Sequence, residues 1–208
     1  YLPRLSLIHL MEKSLLLVGG GGLTGTGGFL EPERIVQNFG LEKGDYVADF
    51  GVGHGFFTIA VARAVGNSGK VYALDVQKSV LEVVRAKARV NHLLNIETVW
   101  ADLDEPGGSR IKDNFIDLVL VTNILFQAEK KDVVMQEAYR IVRPGGKMVA
   151  VEWDSPESIG TAGLKVGPPS ELRLKKEQVK ELAQQAGFRL DREFEAGSHH
   201  YGLLFKKL

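Results

Sequence analysis

The residues best suited to chemistry lie in the first half of the chain. Asp49, Gly51, Gly53 and Gly55 make D-x-G-x-G-x-G within Y-V-A-D-F-G-V-G-H-G-F-F, residues 46–57. Glycines at such positions permit positive φ and leave no Cβ between backbone and ligand, and amides at the start of a following helix can meet a polar or anionic group. Asp75 stands twenty positions after Gly55, the spacing at which a strand-end carboxylate accepts hydrogen bonds from both hydroxyls of a ribose. Asp102 closes the next apolar run. A single strand-end aspartate is ordinarily a turn cap. Three of them on one edge beside a glycine turn are poorly explained that way.

A second glycine set lies upstream. Gly20, Gly22 and Gly25 satisfy G-x-G-x-x-G after the apolar run Ser14 to Val18, and Asp49 follows Gly25 by 24 positions. A nicotinamide-nucleotide oxidoreductase carries that pattern. Here, however, Thr26, Gly27, Gly28 and Pro32 stand where a helix would begin at the third glycine. The expectation is a flexible glycine-rich arm over residues 1–30, suited to a lid beside a cleft, and one domain over residues 31–208.

The elements that must position the three aspartates alternate in type. Strands are expected at Tyr46 to Phe50, Val71 to Leu74, Ile96 to Trp100, Ile116 to Val121 and Lys147 to Trp153, and helices at Phe56 to Val65, Ser79 to Val90 and Glu129 to Val142. A short helix opens at Pro32 with Ile35, Val36 and Phe39 on one face and Gly40 as its stop. Arg143-Pro144-Gly145-Gly146 reads as a turn. I-D-L-V-L-V at 116–121 is continuously apolar, as in a strand buried on both faces of a parallel sheet. Asp154 to Ser170 breaks the rhythm and is long for a connection in a compact domain, so disorder or function is expected there. A helix Lys175 to Ala186 and two period-two strands, Phe188 to Glu195 and His200 to Lys206, complete the chain. The fold class is α/β, a Rossmann-like doubly wound sheet, mostly parallel with an antiparallel closing pair.

Composition narrows the partners. The 208 residues are 44% hydrophobic and 25% charged, with 26 Lys plus Arg balancing 26 Asp plus Glu, so net charge points to neither nucleic acid nor an anionic membrane. No cysteine is present, which removes disulfides, thiolate metal sites and cysteine nucleophiles. Arg4, His9, Glu12 and Lys13 interrupt the apolar start, well short of the roughly 20 residues of a membrane span. A cytoplasmic protein with no metal and no membrane partner is expected, with Met11 a candidate start and Tyr1 to Leu10 an extension.

The set V-A-D-F-G-V-G-H-G, V-Y-A-L-D-V, W-A-D-L, I-D-L-V-L-V-T-N and I-V-R-P-G-G-K resembles the class I S-adenosylmethionine-dependent methyltransferases, of the small type 11 sort, over Leu30 to Leu208. By that resemblance the turn Asp49 to Gly55, with Gly51, Val52 and Gly53, holds the methionine part of S-adenosylmethionine. Asp75 then holds the ribose and Asp102 the adenine amino group, with Val76 and Leu103 against the ring and Asn123 facing the methionyl end or the transferred methyl. The family also implies seven strands, the last antiparallel. A binding module that keeps the cofactor without turnover is the alternative from a different class.

Substrate is less legible. DNA amino-methylating relatives carry an Asn/Asp-Pro-Pro-aromatic motif where this chain has T-N-I-L-F-Q, so DNA is not expected. Neutral charge favours a small-molecule acceptor, with RNA left open and no expectation about oligomeric state. Candidate substrate contacts or bases are Phe126, Gln127, Glu152, Trp153, Asp154, His199, His200 and Tyr201. For His199 and His200 a solvated hairpin is the plainer expectation, against one of them serving as a base at the cleft mouth. Glu152 or Asp154 suits a base only if buried. The pairs Lys130-Lys131, Lys175-Lys176 and Lys206-Lys207 are expected at the solvated surface.

Overall fold

Alternating apolar runs build a seven-stranded sheet in the order β3-β2-β1-β4-β5-β9-β8 in this computed structural model, which describes residues 30–154, 158–159 and 165–208. The strands are β1 (Tyr46–Phe50), β2 (Lys70–Asp75), β3 (Ile96–Trp100), β4 (Ile116–Thr122), β5 (Val142–Trp153), β8 (Arg189–Glu195) and β9 (His200–Lys206). Only β9 runs against the others: it pairs antiparallel with both β5 and β8. A two-residue pair, β6 (Ser158–Ile159) with β7 (Lys165–Val166), stands apart within the 154–170 segment. The glycine-rich arm with its Gly20–Gly25 motif, and residues 155–157 and 160–164 of that segment, lie outside the described residues.

Burial explains which strands are central. In β4 all but Asp117 and Thr122 are buried, and in β1 all but Tyr46. β8, R-L-D-R-E-F-E, is exposed at nearly every position and forms an edge. Its charges form ion pairs, Glu193 with Lys176 and Asp191 with Lys206, which discourages pairing with another chain.

Helices cover both faces. A short turn α1 (Pro32–Ile35) continues as a 3-10 helix, Val36–Phe39, and ends at Gly40 with φ of 63°. This is tighter than the single helix expected, yet Ile35, Val36 and Phe39 are buried as predicted. They pack with Phe57, Val61 and Val65 of α2 (Phe56–Val65) against Val47, Val71 and Leu118. α3 (Lys78–Val90) adds Leu81 and Val84 beside Ala73. On the other face α4 (Lys131–Ile141) and α5 (Lys176–Ala186) bury Val134, Met135, Ala138, Val179 and Ala183 over Phe50, Val119 and Phe205. Each such Val, Leu, Ile, Phe or Met side chain contributes roughly 1.5–3 kcal/mol when fully buried.

Two sequence expectations need correction. Arg143 to Gly146 is not a turn before the strand but a bulge within β5: Val142 pairs with Ile116, and pairing resumes only at Lys147 with Leu118. The C-terminus holds this bulge, through Gly145 N–H to the Lys207 carbonyl and Lys207 N–H to the Gly146 carbonyl. Lys207 is also not solvated. It is buried, and its ammonium donates to Asn114 Oδ1 (2.8 Å), the Tyr139 carbonyl (2.7 Å) and the Val142 carbonyl (2.8 Å). A cation at the end of α4 satisfies carbonyls that the helix leaves unpaired.

Candidate active site

Parallel strands β1 to β5 send their carboxyl ends to one edge, and the strand order reverses between β1 and β4, where open α/β sheets bind ligands. After Phe50 the chain hooks onto β2: the N–H groups of Gly51 and Val52 donate to the Leu74 carbonyl at 2.8 and 3.1 Å. Gly51, Gly53 and Gly55 have φ of 70°, 48° and 73°, the left-handed region that favours glycine. Their surroundings differ. A Cβ at Gly51 would lie 2.6 Å from Ile124 Cδ1 and one at Gly55 2.9 Å from Val84 Cγ2, whereas one at Gly53 meets nothing within 4 Å. The outer glycines are packing requirements, and the middle one borders open space.

Carboxylates brace this turn. Asp75 accepts from Gln77 N–H at 2.9 Å and from Gly53 N–H at 3.3 Å; burial raises its pKa, and these backbone bonds oppose the rise. Asp49 is almost wholly buried and accepts from the Thr58 hydroxyl at 2.6 Å, tying β1 to α2. Burial pushes its pKa up to about 7 against the effect of Thr58, and the Asp75 charge adds to the rise. His54 is exposed on the turn's outer side, near the Phe56 ring, and its carbonyl accepts from Lys87 at 2.7 Å.

One strand further out, Asp102 is half-buried and accepts from Asp104 N–H, while Leu103 is buried and Val76 half-buried. Trp100 and Arg110 join them, a pair that sequence spacing did not single out. The Trp100 indole donates to the Val76 carbonyl at 2.8 Å, and the Arg110 guanidinium lies 5.0 Å from the Trp100 ring.

On the other side of the switch point the site is built from side chains. Asn123 follows β4 with φ of 53°, uncommon for a non-glycine residue, and its N–H donates to the Val151 carbonyl. Its side-chain nitrogen lies 3.2 Å from His200 Nε2. Glu152, 1% exposed, accepts on one oxygen from Ile124 N–H (3.1 Å) and Leu125 N–H (2.9 Å). Burial pushes its pKa up to about 8, with those two amides opposing. Trp153 lies against His200 with ring centroids 4.0 Å apart and the planes tilted by 41°, and Arg173 lies 5.3 Å from the Trp153 ring while donating to the Pro168 and Asp154 carbonyls.

The candidate bases therefore separate. His200 is buried, contrary to the solvated hairpin expected for it. Burial pushes its pKa down to about 3, helped by the charges of His199 and Arg173, so it is also no base at neutral pH. The reason is register: antiparallel pairing with Trp153 carries His200 inside the edge. His199 is half-buried, with its carbonyl accepting from Asp154 N–H. Tyr201 donates to the Leu174 carbonyl at 2.9 Å, and burial raises its pKa. Gln127 is exposed and donates to the Asn123 carbonyl; Asp154 is exposed, and Phe126 is buried. Among the described residues no three acidic or histidine side chains form a cation site, and no helix is long and apolar enough to cross a membrane.

Comparison with known proteins agrees with this geometry. Residues 47–146 match the family model for a methyltransferase domain. A demethylmenaquinone methyltransferase from a Geobacillus species is 34% identical over 129 residues, 62% of this chain and 53% of that protein. A ubiquinone/menaquinone biosynthesis C-methyltransferase from Psychromonas ingrahamii is 32% identical over 118 residues, 56% of this chain and 46% of that protein. This chain spans about half the length of these curated relatives. In fold, it superposes on a SAM-dependent methyltransferase from Aquifex aeolicus with a TM-score of 0.78 at 24% identity, covering all of both chains. It also superposes on the [4+2]-cyclase SpnF with a TM-score of 0.72 at 17% identity, covering 97% and 94%.

Proposed function

We propose that the class I S-adenosylmethionine-dependent methyltransferase domain carried by this chain moves the cofactor's methyl group to a small organic acceptor, of the quinone-derived kind named for its relatives. The observation that carries this reading is the division of one sheet edge. An open glycine turn braced by carboxylates adjoins, at the switch point, a buried polar cluster of Asn123, Glu152 and His200.

The residues suit the cofactor. The space beside Gly53, where even a Cβ would meet nothing, admits a backbone-held ligand. In this reading the turn Gly51–Gly55 receives the methionine portion and Asp75 the ribose. Val76, Asp102 and Leu103 receive the adenine, with Trp100 closing that side. Asn123 stands where the two halves meet. When bound, S-adenosylmethionine supplies a methyl already activated on a sulfonium, so alignment and exclusion of water are the main demands on the protein. Leu125, Phe126 and the adjoining rings of Trp153 and His200 supply the dry wall. Glu152 does not face the acceptor as a free carboxylate; its oxygen holds the Ile124 and Leu125 amides and so fixes the loop that carries Asn123. Balanced charge supports a small molecule over RNA.

A second reading is that the domain binds the cofactor without transferring its methyl, since a fold shared with a [4+2]-cyclase does not by itself fix the reaction. Calorimetry with S-adenosylhomocysteine and a radiolabelled-methyl assay on reduced demethylmenaquinone separate the readings. Binding and transfer are expected. Binding without transfer to that acceptor or to any cell-extract component selects the second reading, and absence of binding overturns both. Asp75→Ala is expected to weaken S-adenosylhomocysteine binding by at least about tenfold, while Gly22→Ala leaves it unchanged. The reverse result, together with NAD binding, would establish the oxidoreductase reading instead.

A further inference from the structure

The connection between β3 and β4, residues 101–115, is anchored by two side chains of α4. Glu137 and Arg140 share one face of that helix at i and i+3. Glu137 is 3% exposed and accepts from Gly107 N–H at 3.1 Å and from Ser109 N–H at 3.0 Å, one amide on each oxygen. Arg140 adds a fork to the same carboxylate, its Nε and Nη2 donating at 2.9 and 2.7 Å. The guanidinium also donates to the Ile111 carbonyl (2.9 Å) and the Ser109 hydroxyl (3.3 Å), and it pairs with Asp113. Burial alone would raise the Glu137 pKa, but the bonds from Arg140 and Ser109 outweigh it and hold the carboxyl below its usual range. An ionised carboxylate bonded to two amides and a guanidinium fork is a strong anchor.

What the anchor holds reaches the binding edge. Gly107 and Ser109 flank Gly108, and a Cβ at Gly108 would fall 1.8 Å from the Asp102 carbonyl oxygen and 2.7 Å from that of Glu105. The anchored backbone therefore lies directly on the Asp102 peptide. Two further bonds close the turn, Glu105 N–H to the Asp102 carbonyl (3.3 Å) and Gly108 N–H to the Glu105 carbonyl (2.9 Å). Arg110 comes next, with φ of 59°, a sparsely populated conformation for a residue with a long side chain. Such a backbone persists only where its surroundings impose it. Here both neighbours are tied to the pair, Ser109 to Glu137 and Ile111 to Arg140. The Arg110 guanidinium is thereby set 5.0 Å from the Trp100 ring, whose indole donates to the Val76 carbonyl. One buried pair on α4 thus bears on both Asp102 and Trp100.

We propose that Glu137, paired with Arg140, is a positioning residue for the adenine end of the cofactor site: it holds residues 107–111 against the Asp102 peptide and so sets the selectivity for a purine that carries an amino group. This rests on the methyl-transfer reading above, in which Asp102 receives the adenine, and deepens it. Glu137 acts through the loop and not on the cofactor. A pair that merely closed the loop would contribute stability without selectivity.

The test is calorimetry on the full chain with S-adenosylhomocysteine and S-inosylhomocysteine, which presents a carbonyl where adenine has its amino group. The native protein is expected to bind the adenosyl compound at least about tenfold more tightly. Glu137→Ala is expected to lower that ratio to about threefold or less, and Glu137→Gln, which keeps one acceptor oxygen, to recover part of it. Val179→Ala, in the core between α5 and the sheet, is the control: it lowers Tm and leaves the ratio as it is. A ratio unchanged in Glu137→Ala, or lowered equally in Val179→Ala, overturns the proposal and leaves the pair a stabilising contact. If Glu137→Ala does not fold, amide hydrogen exchange on the native protein serves, because the coupling is reciprocal. Saturating S-adenosylhomocysteine is then expected to slow the Gly107 and Ser109 amides at least about threefold more than saturating S-inosylhomocysteine does, with the Val119 amide of β4 as the reference for global opening. Equal slowing overturns the proposal, as does equal affinity of the native protein for the two compounds. Failure to bind S-adenosylhomocysteine overturns the methyl-transfer reading instead.

Discussion

The two halves of the binding edge are built from different materials. At the ends of β1, β2 and β3 the surface is backbone: a turn with three left-handed glycines, its amides steadied by the Asp75 carboxylate. At the ends of β4, β5 and β9 it is side chain: Asn123, Glu152, Trp153 and His200, with their polar atoms turned inward. The halves meet at Ile124. Its side chain lies over Gly51, and its amide rests on Glu152. Backbone recognition suits a ligand that never changes, and side-chain recognition suits one that differs between relatives.

The largest test of this division is Gly51→Val. The φ of 70° and the 2.6 Å approach to Ile124 Cδ1 leave no room for a side chain. Strain and clash together cost about 2–4 kcal/mol, so S-adenosylhomocysteine affinity is expected to fall by at least about a hundredfold, with a lowered Tm. Because Ile124 must move, binding of reduced demethylmenaquinone is expected to weaken as well. If it does not, the halves are independent and the contact at Ile124 carries no coupling.

Gly53→Ala sharpens the contrast. The left-handed backbone costs about 1 kcal/mol for alanine, but no protein atom is within reach of the new methyl. A modest change in Tm is expected alongside an S-adenosylhomocysteine affinity about tenfold weaker, with binding of reduced demethylmenaquinone intact. An unchanged cofactor affinity in calorimetry would mean that the ligand does not approach this turn.

The smallest effect is a pH dependence in the side-chain half. Glu152 has its pKa raised from 4.5 to about 8 in the folded state. A carboxyl shifted upward favours folding fully below its unfolded pKa, and the contribution is lost as pH rises through the folded value. Stability to urea is therefore expected to fall between pH 5 and pH 8, on the order of 1 kcal/mol. Asp49, raised to about 7, acts in the same direction. In Glu152→Gln the slope is expected to flatten to the Asp49 contribution; an unaltered slope would show that Glu152 is already ionised.

Much of this was legible before any coordinates. The strands β1 and β3 and the helix α2 have the limits their apolar spacing predicts, because each is bounded by glycine or polar residues; β1 and α2 bury most of their positions, and β3 keeps three half-buried. Asp75 ends β2 and Asp102 follows β3 closely, as their spacing predicts, and the seven strands with the last antiparallel are what the resemblance implies. What was not legible depended on contacts between distant segments. Lys207 looks like any terminal lysine until β9 brings it under the end of α4. Trp100 reads as an edge residue until its indole reaches the Val76 carbonyl.

The sequence by itself determined the alternation of strand and helix, the glycine turn and the carboxylates around it, since these depend on residues near one another in the chain and on backbone conformations that only certain residues adopt. Tertiary structure alone decided the side-chain half of the edge. Asn123 and His200 are 77 residues apart, and whether His200 is a solvated base or a buried neutral partner depends on the pairing of β9 with β5. That pairing sets its burial, and burial sets its charge.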